Sequence, residues 1–365
     1  MQIPWAKLYI DEKELQEVVD CIKSTWLAKG PKVEQFEAKV KALIGAKHCI
    51  AVNNGTSALD VALKVLDIKP GDEVIVPAMA YIATTNSVLY QHAVPVFADI
   101  DPRTFCLDAE EVRKKITART RAIIAIDYAG QGADYKKLRE VVQGKNIYIV
   151  EDAAPSFGGE QHSRKLCTFG DMAITSFHLA KTFTAVEGGM IFTDNDAWAT
   201  KARIILNQGE SSEEKYLHPY VGHNYRLSDL HASVGLAQVS RFEEVLRKRA
   251  ELAGRYTREF NQKSSKINTP IVLPENKHAW FLYPVLVEQR DVVFKKLKEA
   301  GIQANVSWPR PVYKQPAYAA YAENYCPVAE EITKKILCLP MYFAMTEEEQ
   351  EYVIKKLVEI VEDLH

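Results

Sequence analysis

The chain has 365 residues, of which 47% are hydrophobic and 26% are charged, so it can bury the core of a globular protein of about two domains. Its 46 Lys and Arg residues balance 48 Asp and Glu residues, which argues against partners such as nucleic acid or an anionic membrane. The six cysteines form no Cys-x-x-Cys pair, and no apolar run reaches the roughly 18 residues of a membrane span. We therefore expect a cytoplasmic protein with reduced thiols, no metal site and no secretory signal.

Between about residues 48 and 195, short apolar runs alternate with amphipathic stretches such as TSALDVALKVL and DYKKLREVVQG, which predict helices. Seven runs predict strands: HCIAV, DEVIVP, AVPVFADI, RAIIAIDYA, NIYIVEDA, AITSF and GMIFT. Their continuous apolarity is typical of strands that are covered on both faces of a mainly parallel sheet. The pattern predicts an α/β fold with its function just beyond the carboxyl ends of the strands.

The pattern changes after about residue 229. The segment SDLHASVGLAQVSRFEEVLRKRAELAGRYTREFNQ predicts one long amphipathic helix or a helix pair, and a mixture of strands and helices follows it. We predict a large domain over residues 1–240 and a smaller C-terminal α+β domain over residues 241–365. The Pro-rich stretch WPRPVYKQP at 308–316 predicts a loop of the smaller domain. Its aromatic residues Trp308 and Tyr313 either cover a ligand or belong to a rigid surface loop.

Gly55, Thr56 and Ser57 follow the first predicted strand, at the point where the chain turns into a helix. Free backbone N–H groups and two hydroxyls at a helix N-terminus are suited to binding a phosphate. The alternative is that Thr56 or Ser57 only caps the helix. The stretch contains neither the Gly-Lys-Ser/Thr of a Walker loop nor a G-x-G-x-x-G pattern.

Ionisable residues stand at two further strand ends. Glu151 and Asp152 close the run NIYIVED, where a carboxylate needs a cationic partner or several hydrogen-bond donors, unless it forms a structural salt bridge. Lys181 follows the run AITSF, and a buried lysine amine becomes a nucleophile, as in Schiff-base enzymes, unless it reaches solvent. A phosphate site, a buried acid and such a lysine together meet the demands of pyridoxal 5'-phosphate (PLP).

Eight segments form an ordered set of motifs: STWLAKGPKVEQFE, NNGTSAL, GDEVIVPAMAYIATTNSV, VPVFADIDPRTF, EDAA, SFHLAKTFTAVEGGMIFTDN, GHNYRLSDLHASVGLAQ and CPVAEEITKKILCLPMY. This set resembles that of the DegT/DnrJ/EryC1/StrS family of PLP-dependent sugar aminotransferases over nearly the whole chain. The resemblance implies fold type I of the PLP-dependent transferases, the fold of aspartate aminotransferase. It also implies a large domain with a mainly parallel sheet and a smaller C-terminal domain.

The resemblance implies a role for each matching residue. Lys181 matches the catalytic lysine that holds the cofactor covalently, and Asp152 matches the partner of the pyridine nitrogen. Tyr81 matches the aromatic residue that stacks on the cofactor, and Asn224 matches the asparagine that reaches the phosphate across the interface of a homodimer. The other matches to phosphate-binding residues are Gly55, Thr56, Ser57 and Ser176.

Four positions near these motifs leave the substrate open. Pro155 follows EDAA where many relatives carry Gln or another polar residue, and Ala80 replaces a common Thr before the stacking aromatic. His178 either contacts substrate or is held by the backbone as a structural residue. Arg226 pairs either with a substrate anion or with the nearby Asp229.

The implied reaction moves an amino group from an amino acid, usually L-glutamate in this family, to a keto-sugar that is linked to a nucleotide. Lys181 argues against the related sugar dehydratases, which commonly carry His at this position. Two alternatives stay open at this point: amination of a keto-inositol, and a PLP-binding regulator without turnover.

Overall fold

The computed structural model describes residues 1–364. Within that range the strands are β1 His48–Val52, β2 Glu73–Pro77, β3 Val94–Ala98, β4 Thr120–Ile126, β5 Tyr148–Asp152, β6 Glu160–Gln161, β7 Arg164–Lys165, β8 Met172–Ser176, β9 Gly189–Thr193, β10 Asn276–Lys277, β11 Tyr283–Leu286 and β12 Ile336–Leu339. The α-helices are α1 Glu12–Ser24, α2 Pro31–Ile44, α3 Gly55–Val65, α4 Ile82–Tyr90, α5 Ala109–Lys115, α6 Tyr135–Val142, α7 Asp196–Leu206, α8 Asp229–Val239, α9 Phe242–Lys263, α10 Arg290–Glu299, α11 Pro327–Lys335 and α12 Glu347–Glu362. Three 3₁₀ turns occupy Tyr128–Gly130, Val312–Lys314 and Pro316–Tyr321.

The central sheet contains seven strands in the order β1-β9-β8-β5-β4-β2-β3. Strands β3, β2, β4, β5 and β8 run parallel to one another, whereas β9 is antiparallel to both β8 and β1. Each of the seven predicted apolar runs contributes one of these strands. The prediction of a mainly parallel α/β sheet is therefore confirmed.

The C-terminal third builds a second hydrophobic cluster beside the sheet. The segment predicted as one helix or two forms the helix pair α8 and α9. Buried residues of α9 belong to one hydrophobic cluster with residues of α10, α12, β11 and β12. Buried Tyr256, Phe260, Val293 and Leu357 are members of this cluster. Several residues between 312 and 338 pack instead on the cluster around the main sheet. The domain boundary at residue 240 stays a prediction.

The first residues of the chain connect the two hydrophobic clusters. Ile3 is buried in the C-terminal cluster, and its N–H donates to the carbonyl of Gly301 at 2.9 Å. A few residues later, the carbonyl of Tyr9 accepts a hydrogen bond from Gln238 of α8. This segment, residues 3–9, places Trp5 at the edge of the main cleft. None of the helices in residues 1–364 has the length and apolarity that crossing a bilayer requires.

Candidate active site

A cleft with a volume of about 1430 Å³ lies beyond the carboxyl ends of β5 and β8, where the parallel sheet predicts function. It is lined by residues between 5 and 231 and by residues 281–282 and 305–309 of the C-terminal region. Nine of the predicted site residues line this one cleft: Gly55, Thr56, Ser57, Tyr81, Asp152, Ser176, His178, Lys181 and Trp308. The sequence separations between them are large, so the fold brings them together.

The first turn of α3 forms one end of the site. Asn54 caps this helix, because its Oδ1 accepts the N–H of Ser57 at 2.8 Å, so neither Thr56 nor Ser57 is the cap. A Cβ atom on Gly55 would lie 3.0 Å from Cβ of Ser176, so glycine permits the close approach of β8. The first turn of a helix leaves N–H groups without intrahelical partners, and its dipole favours a negative charge. With the hydroxyls of Thr56 and Ser176, this end suits a phosphate.

Asp152 is the last residue of β5 and is 5% exposed at the cleft wall. Its Oδ2 accepts the Thr84 hydroxyl at 2.9 Å, and its Oδ1 accepts the N–H of Ala154 at 3.2 Å. Burial raises the pKa of Asp152, while these two donors and the positive charge of Lys181 lower it. The carboxylate is thus fixed in direction and suited to a cationic N–H partner.

Lys181 lies in the loop between β8 and β9, and its backbone N–H donates to the carbonyl of His178. Its Nζ is 4.3 Å from the centroid of the Phe281 ring. Burial lowers the pKa of Lys181 to about 8, against the opposing attraction of Asp152. About a tenth of this amine is neutral at pH 7, on the order of a hundredfold more than for an ordinary lysine. A buried amine with a lowered pKa agrees with the nucleophilic lysine that the sequence predicts, and the catalytic role of Lys181 stays a prediction.

His178 and Glu187 stand at the opening of the lysine loop. Nδ1 of His178 accepts the N–H of Ala180 at 3.3 Å, and its Nε2 lies 3.8 Å from a carboxylate oxygen of Glu187. Both side chains are about half exposed and line the cleft. The hydrogen bond to the backbone agrees with the structural alternative for His178. Because His178 also lines the cleft, its contact with substrate stays a prediction.

Aromatic side chains form further parts of the wall. Tyr81 precedes α4 and is 60% exposed, so its ring faces are free for a planar ligand. Trp308 packs edge-on against Tyr128, with ring centroids 5.2 Å apart. Pro155 lines the cleft beside Asp152, in agreement with its place in the sequence after EDAA.

These residues fit PLP on their own geometry. The amine of Lys181 can bond to an aldehyde, the buried carboxylate of Asp152 can accept a ring N–H, and the first turn of α3 can hold the phosphate. Tyr81 offers an exposed ring for stacking. All four features face the same cleft.

Comparison with known proteins agrees with this geometry. A family model described as the DegT/DnrJ/EryC1/StrS aminotransferase family matches residues 8–358. The chain belongs to this family. One relative is the GDP-perosamine synthase of Caulobacter vibrioides, which is 37% identical over 358 residues that cover 96% of each chain. Another is the UDP-2-acetamido-2-deoxy-3-oxo-D-glucuronate aminotransferase of Pseudomonas aeruginosa, 37% identical over 314 residues and 86% of each chain.

Solved structures of this aminotransferase family share the fold. The protein Spr1654 of Streptococcus pneumoniae, solved in a PLP-form and a PMP-form, is 28% identical with TM-scores of 0.94 and 0.95. In both forms 100% of each chain is covered. The predictions of the family, of fold type I, of PLP as cofactor and of an aminotransferase are confirmed.

Tyr313 lies outside the cleft of this aminotransferase, contrary to its prediction as a substrate contact. Its side chain is fully buried against Phe97, and its hydroxyl donates to Glu330 at 2.9 Å while it accepts the N–H of Cys326. The Pro-rich stretch places this ring in the core because 3₁₀ turns interrupt the expected loop.

Arg226 and Asp229 do not pair with each other. Arg226 donates to Oδ1 of Asn207 at 3.0 Å, whereas the Asp229 carboxylate accepts three N–H groups at the start of α2. Arg226 does not line the cleft of its own chain. Asn224 is also outside this cleft; it is exposed and forms a backbone bridge to Asn207.

Glu151 has a structural role. Adjacent residues of a strand point to opposite faces, so Glu151 points away from Asp152. Its carboxylate accepts the N–H groups of Cys167, Phe169 and Gly170 and fixes the loop before β8. Several donors rather than a salt bridge satisfy this buried acid.

Three residues of the site could not be identified from the sequence. Thr84 lies in a quoted motif, but nothing in the letters indicates that its hydroxyl reaches Asp152. Phe281 lies in the predicted mixture of strands and helices of the C-terminal region and lines the cleft as part of the connection before β11. Trp5 comes from the first residues, which the sequence pattern leaves without a role. Contacts between distant segments produce all three.

Proposed function

We propose that this aminotransferase transfers nitrogen from L-glutamate to a keto-sugar, most simply a keto-deoxysugar, that is linked to a nucleotide, as a step in amino-sugar biosynthesis. The observation that carries the reaction is the placement of Lys181 and Asp152 after the neighbouring strands β8 and β5, facing one cleft. The substrate class is supported by relatives whose names specify GDP-, UDP- and dTDP-linked sugars.

Bound PLP would supply an electron-accepting ring and an aldehyde carbon that carries the amino group between the two halves of the reaction. Lys181 is the residue placed to move the proton at the donor's α-carbon, because its lowered pKa gives a neutral amine near pH 8. Asp152 would keep a proton at the pyridine nitrogen, since its carboxylate is buried and already oriented by Thr84. Tyr81 would restrict the tilt of the ring by stacking on it.

The polar residues of the cleft support a sugar nucleotide as acceptor. Lys64, His92 and His223 line the part of the cleft near α3 and could contact phosphate oxygens. His178 and Glu187 stand beside the lysine, where hydroxyl groups of a sugar need donors and acceptors. Trp308 could cover an apolar face of the substrate.

We infer a homodimer in which Asn224 completes the phosphate site of the partner. The inference is supported by the exposure of Asn224 beside a segment with unusually exposed apolar residues. Tyr216 is 76% exposed and Val221 is 91% exposed, which is typical of an interaction surface. The six cysteines are all free and buried, which supports the reducing cytoplasm as the location.

The test begins with the visible absorption of the purified protein. We expect a yellow band from PLP, which bleaches when L-glutamate is added without any sugar and returns when the correct keto-sugar follows. A panel of GDP-, UDP- and dTDP-linked keto-sugars, with a keto-inositol as control, identifies the acceptor. A band that only the keto-inositol restores would refute the sugar substrate. A band that L-glutamate leaves unchanged would refute that donor.

A further inference from the structure

The amine of Lys181 faces an aromatic ring that the family roles do not explain. Its Nζ lies 4.3 Å from the centroid of the Phe281 ring, within the range in which a ring face attracts an ammonium group. The ring lines both the main cleft and a smaller chamber behind the lysine. Phe281 therefore forms part of the wall that lies beside the amine in both cavities.

Two hydrogen-bonding groups fix the backbone that carries this ring. Arg249 of α9 donates from Nε to the carbonyl of Trp280 at 2.6 Å and from Nη2 to that of Phe281 at 2.7 Å. From the large domain, the carbonyl of Ala129 accepts the N–H of Leu282 at 3.1 Å. The ring is thus held between α9 and the turn that follows β4.

Arg249 has an unusual environment for a guanidinium. It is 8% exposed, its two bonds are to neutral carbonyls, and among residues 1–364 no carboxylate forms an ion pair with it. Burial alone lowers the pKa of Arg249 to about 10. Burying an unpaired charge is costly, so the position that it fixes has to matter to the protein.

We propose that Phe281 is the positioning residue of Lys181: its ring holds the lysine amine at the cleft wall and keeps water from it, and Arg249 acts through Phe281 by fixing its backbone. The proposal concerns the stages of the reaction in which the amine is free. It rests on the aminotransferase reaction of the family and not on the identity of the sugar or donor.

The sign of the effect follows from two opposing influences of the ring. Exclusion of water disfavours the charged amine, whereas the ring face favours it. Because burial lowers the pKa of Lys181, we expect exclusion of water to be the larger influence. The charged group that acts on Lys181 is Asp152 of β5. Other titratable side chains line one of the two cavities with Lys181: from its own loop, from α9 with the residue before it, and from the first residues, they are His178, Glu187, Arg241, Arg249 and Lys7. None of them changes when the ring is removed.

The test measures the free amine directly in the full-length protein after removal of the cofactor. The rate at which acetic anhydride labels Lys181 is followed against pH by mass spectrometry of its peptide. For the wild type we expect a midpoint near pH 8. In Phe281→Ala water reaches the amine, so the midpoint rises by about one unit and the rate at pH 8 falls about fivefold. Phe281→Tyr keeps the ring and should retain the wild-type midpoint.

Phe343→Ala is the matched control. Phe343 lines the same chamber but packs on Tyr9, with ring centroids 5.0 Å apart, instead of on the lysine. The labelling midpoint of Lys181 in Phe343→Ala should equal that of the wild type. An unchanged midpoint in Phe281→Ala, or an equal rise in Phe343→Ala, overturns the proposal.

Phe281→Leu keeps the test decisive if the alanine variant does not fold. Leucine still excludes water but lacks the ring face, so the midpoint should stay at or slightly below that of the wild type. A clear rise in this variant contradicts the proposal. Because labelling requires neither L-glutamate nor a sugar, its result is independent of whether the proposed substrates are correct.

Discussion

The hydroxyl of Thr84 lies 2.9 Å from Oδ2 of Asp152, and both side chains are buried. Removing the hydroxyl in Thr84→Val leaves the carboxylate with only the N–H of Ala154 and raises the pKa of Asp152. We expect a loss of about 1–3 kcal/mol in PLP binding, seen as a dissociation constant about 5-fold to 150-fold higher. Thr84→Ser keeps the donor and should bind PLP like the wild type; equal affinity in the valine variant would contradict this role.

Lys181→Ala should abolish transamination without unfolding the protein. A general acid and base typically contributes about 10²–10⁴-fold, and the covalent attachment of the cofactor is lost in addition. The measurements are the amount of amino-sugar formed and the far-ultraviolet circular dichroism. Lys295→Ala, at a surface position, is the control for lysine removal. Turnover by Lys181→Ala would remove the assignment of the catalytic lysine.

Asp152→Asn should move the labelling midpoint of Lys181 to lower pH. The negative charge of Asp152 raises the pKa of the lysine, so its removal leaves burial unopposed. Transamination should fall as well, because an amide does not keep the pyridine nitrogen protonated. Asp60→Asn is the control, since Asp60 also lines the cleft but bonds to Gln91 and Tyr225. A higher labelling midpoint of Lys181 in Asp152→Asn would contradict the expected effect of the Asp152 charge on the lysine.

Asn224 can be tested by mixing two inactive variants. If each site combines Lys181 of one chain with Asn224 of its partner, Asn224→Ala and Lys181→Ala are both impaired alone. A refolded equal mixture contains half heterodimers, each with one intact site, and should recover about a quarter of the wild-type activity. No recovery would place Asn224 in the site of its own chain.

Asp229→Ala should destabilise the fold. Its carboxylate accepts the N–H groups of Gly30, Lys32 and Val33 at 2.8–3.0 Å, and it is 1% exposed. Leaving these donors unpaired should lower the free energy of unfolding by about 2 kcal/mol, measured in urea. Asp108→Ala is the comparison, because it removes the N-cap of the short and more exposed helix α5. It should lower the free energy of unfolding by less than Asp229→Ala does.

The main sheet could be predicted from the sequence because, in a chain of this composition, short continuous apolar runs rarely form anything other than buried strands. Lys181 and Asp152 could also be predicted, because a polar residue at the end of a predicted parallel strand is expected at the functional edge of the sheet. The strand end does not predict which residues contact it. Phe281 and Thr84 could not be predicted, because their roles depend on contacts with residues more than 60 positions away in sequence. Tyr313 was predicted wrongly because a Pro-rich stretch with aromatic residues can equally fold inward, as it does here.

The first residues have a consequence for biosynthesis. Ile3 is translated about 300 residues before its hydrogen-bond partners, the carbonyl of Gly301 and the N–H of Gln303. Trp5, which follows Ile3, therefore takes its place in the cleft wall only after most of the chain has been translated. The large sheet can form during synthesis, whereas the finished catalytic cleft must wait for late, long-range closure.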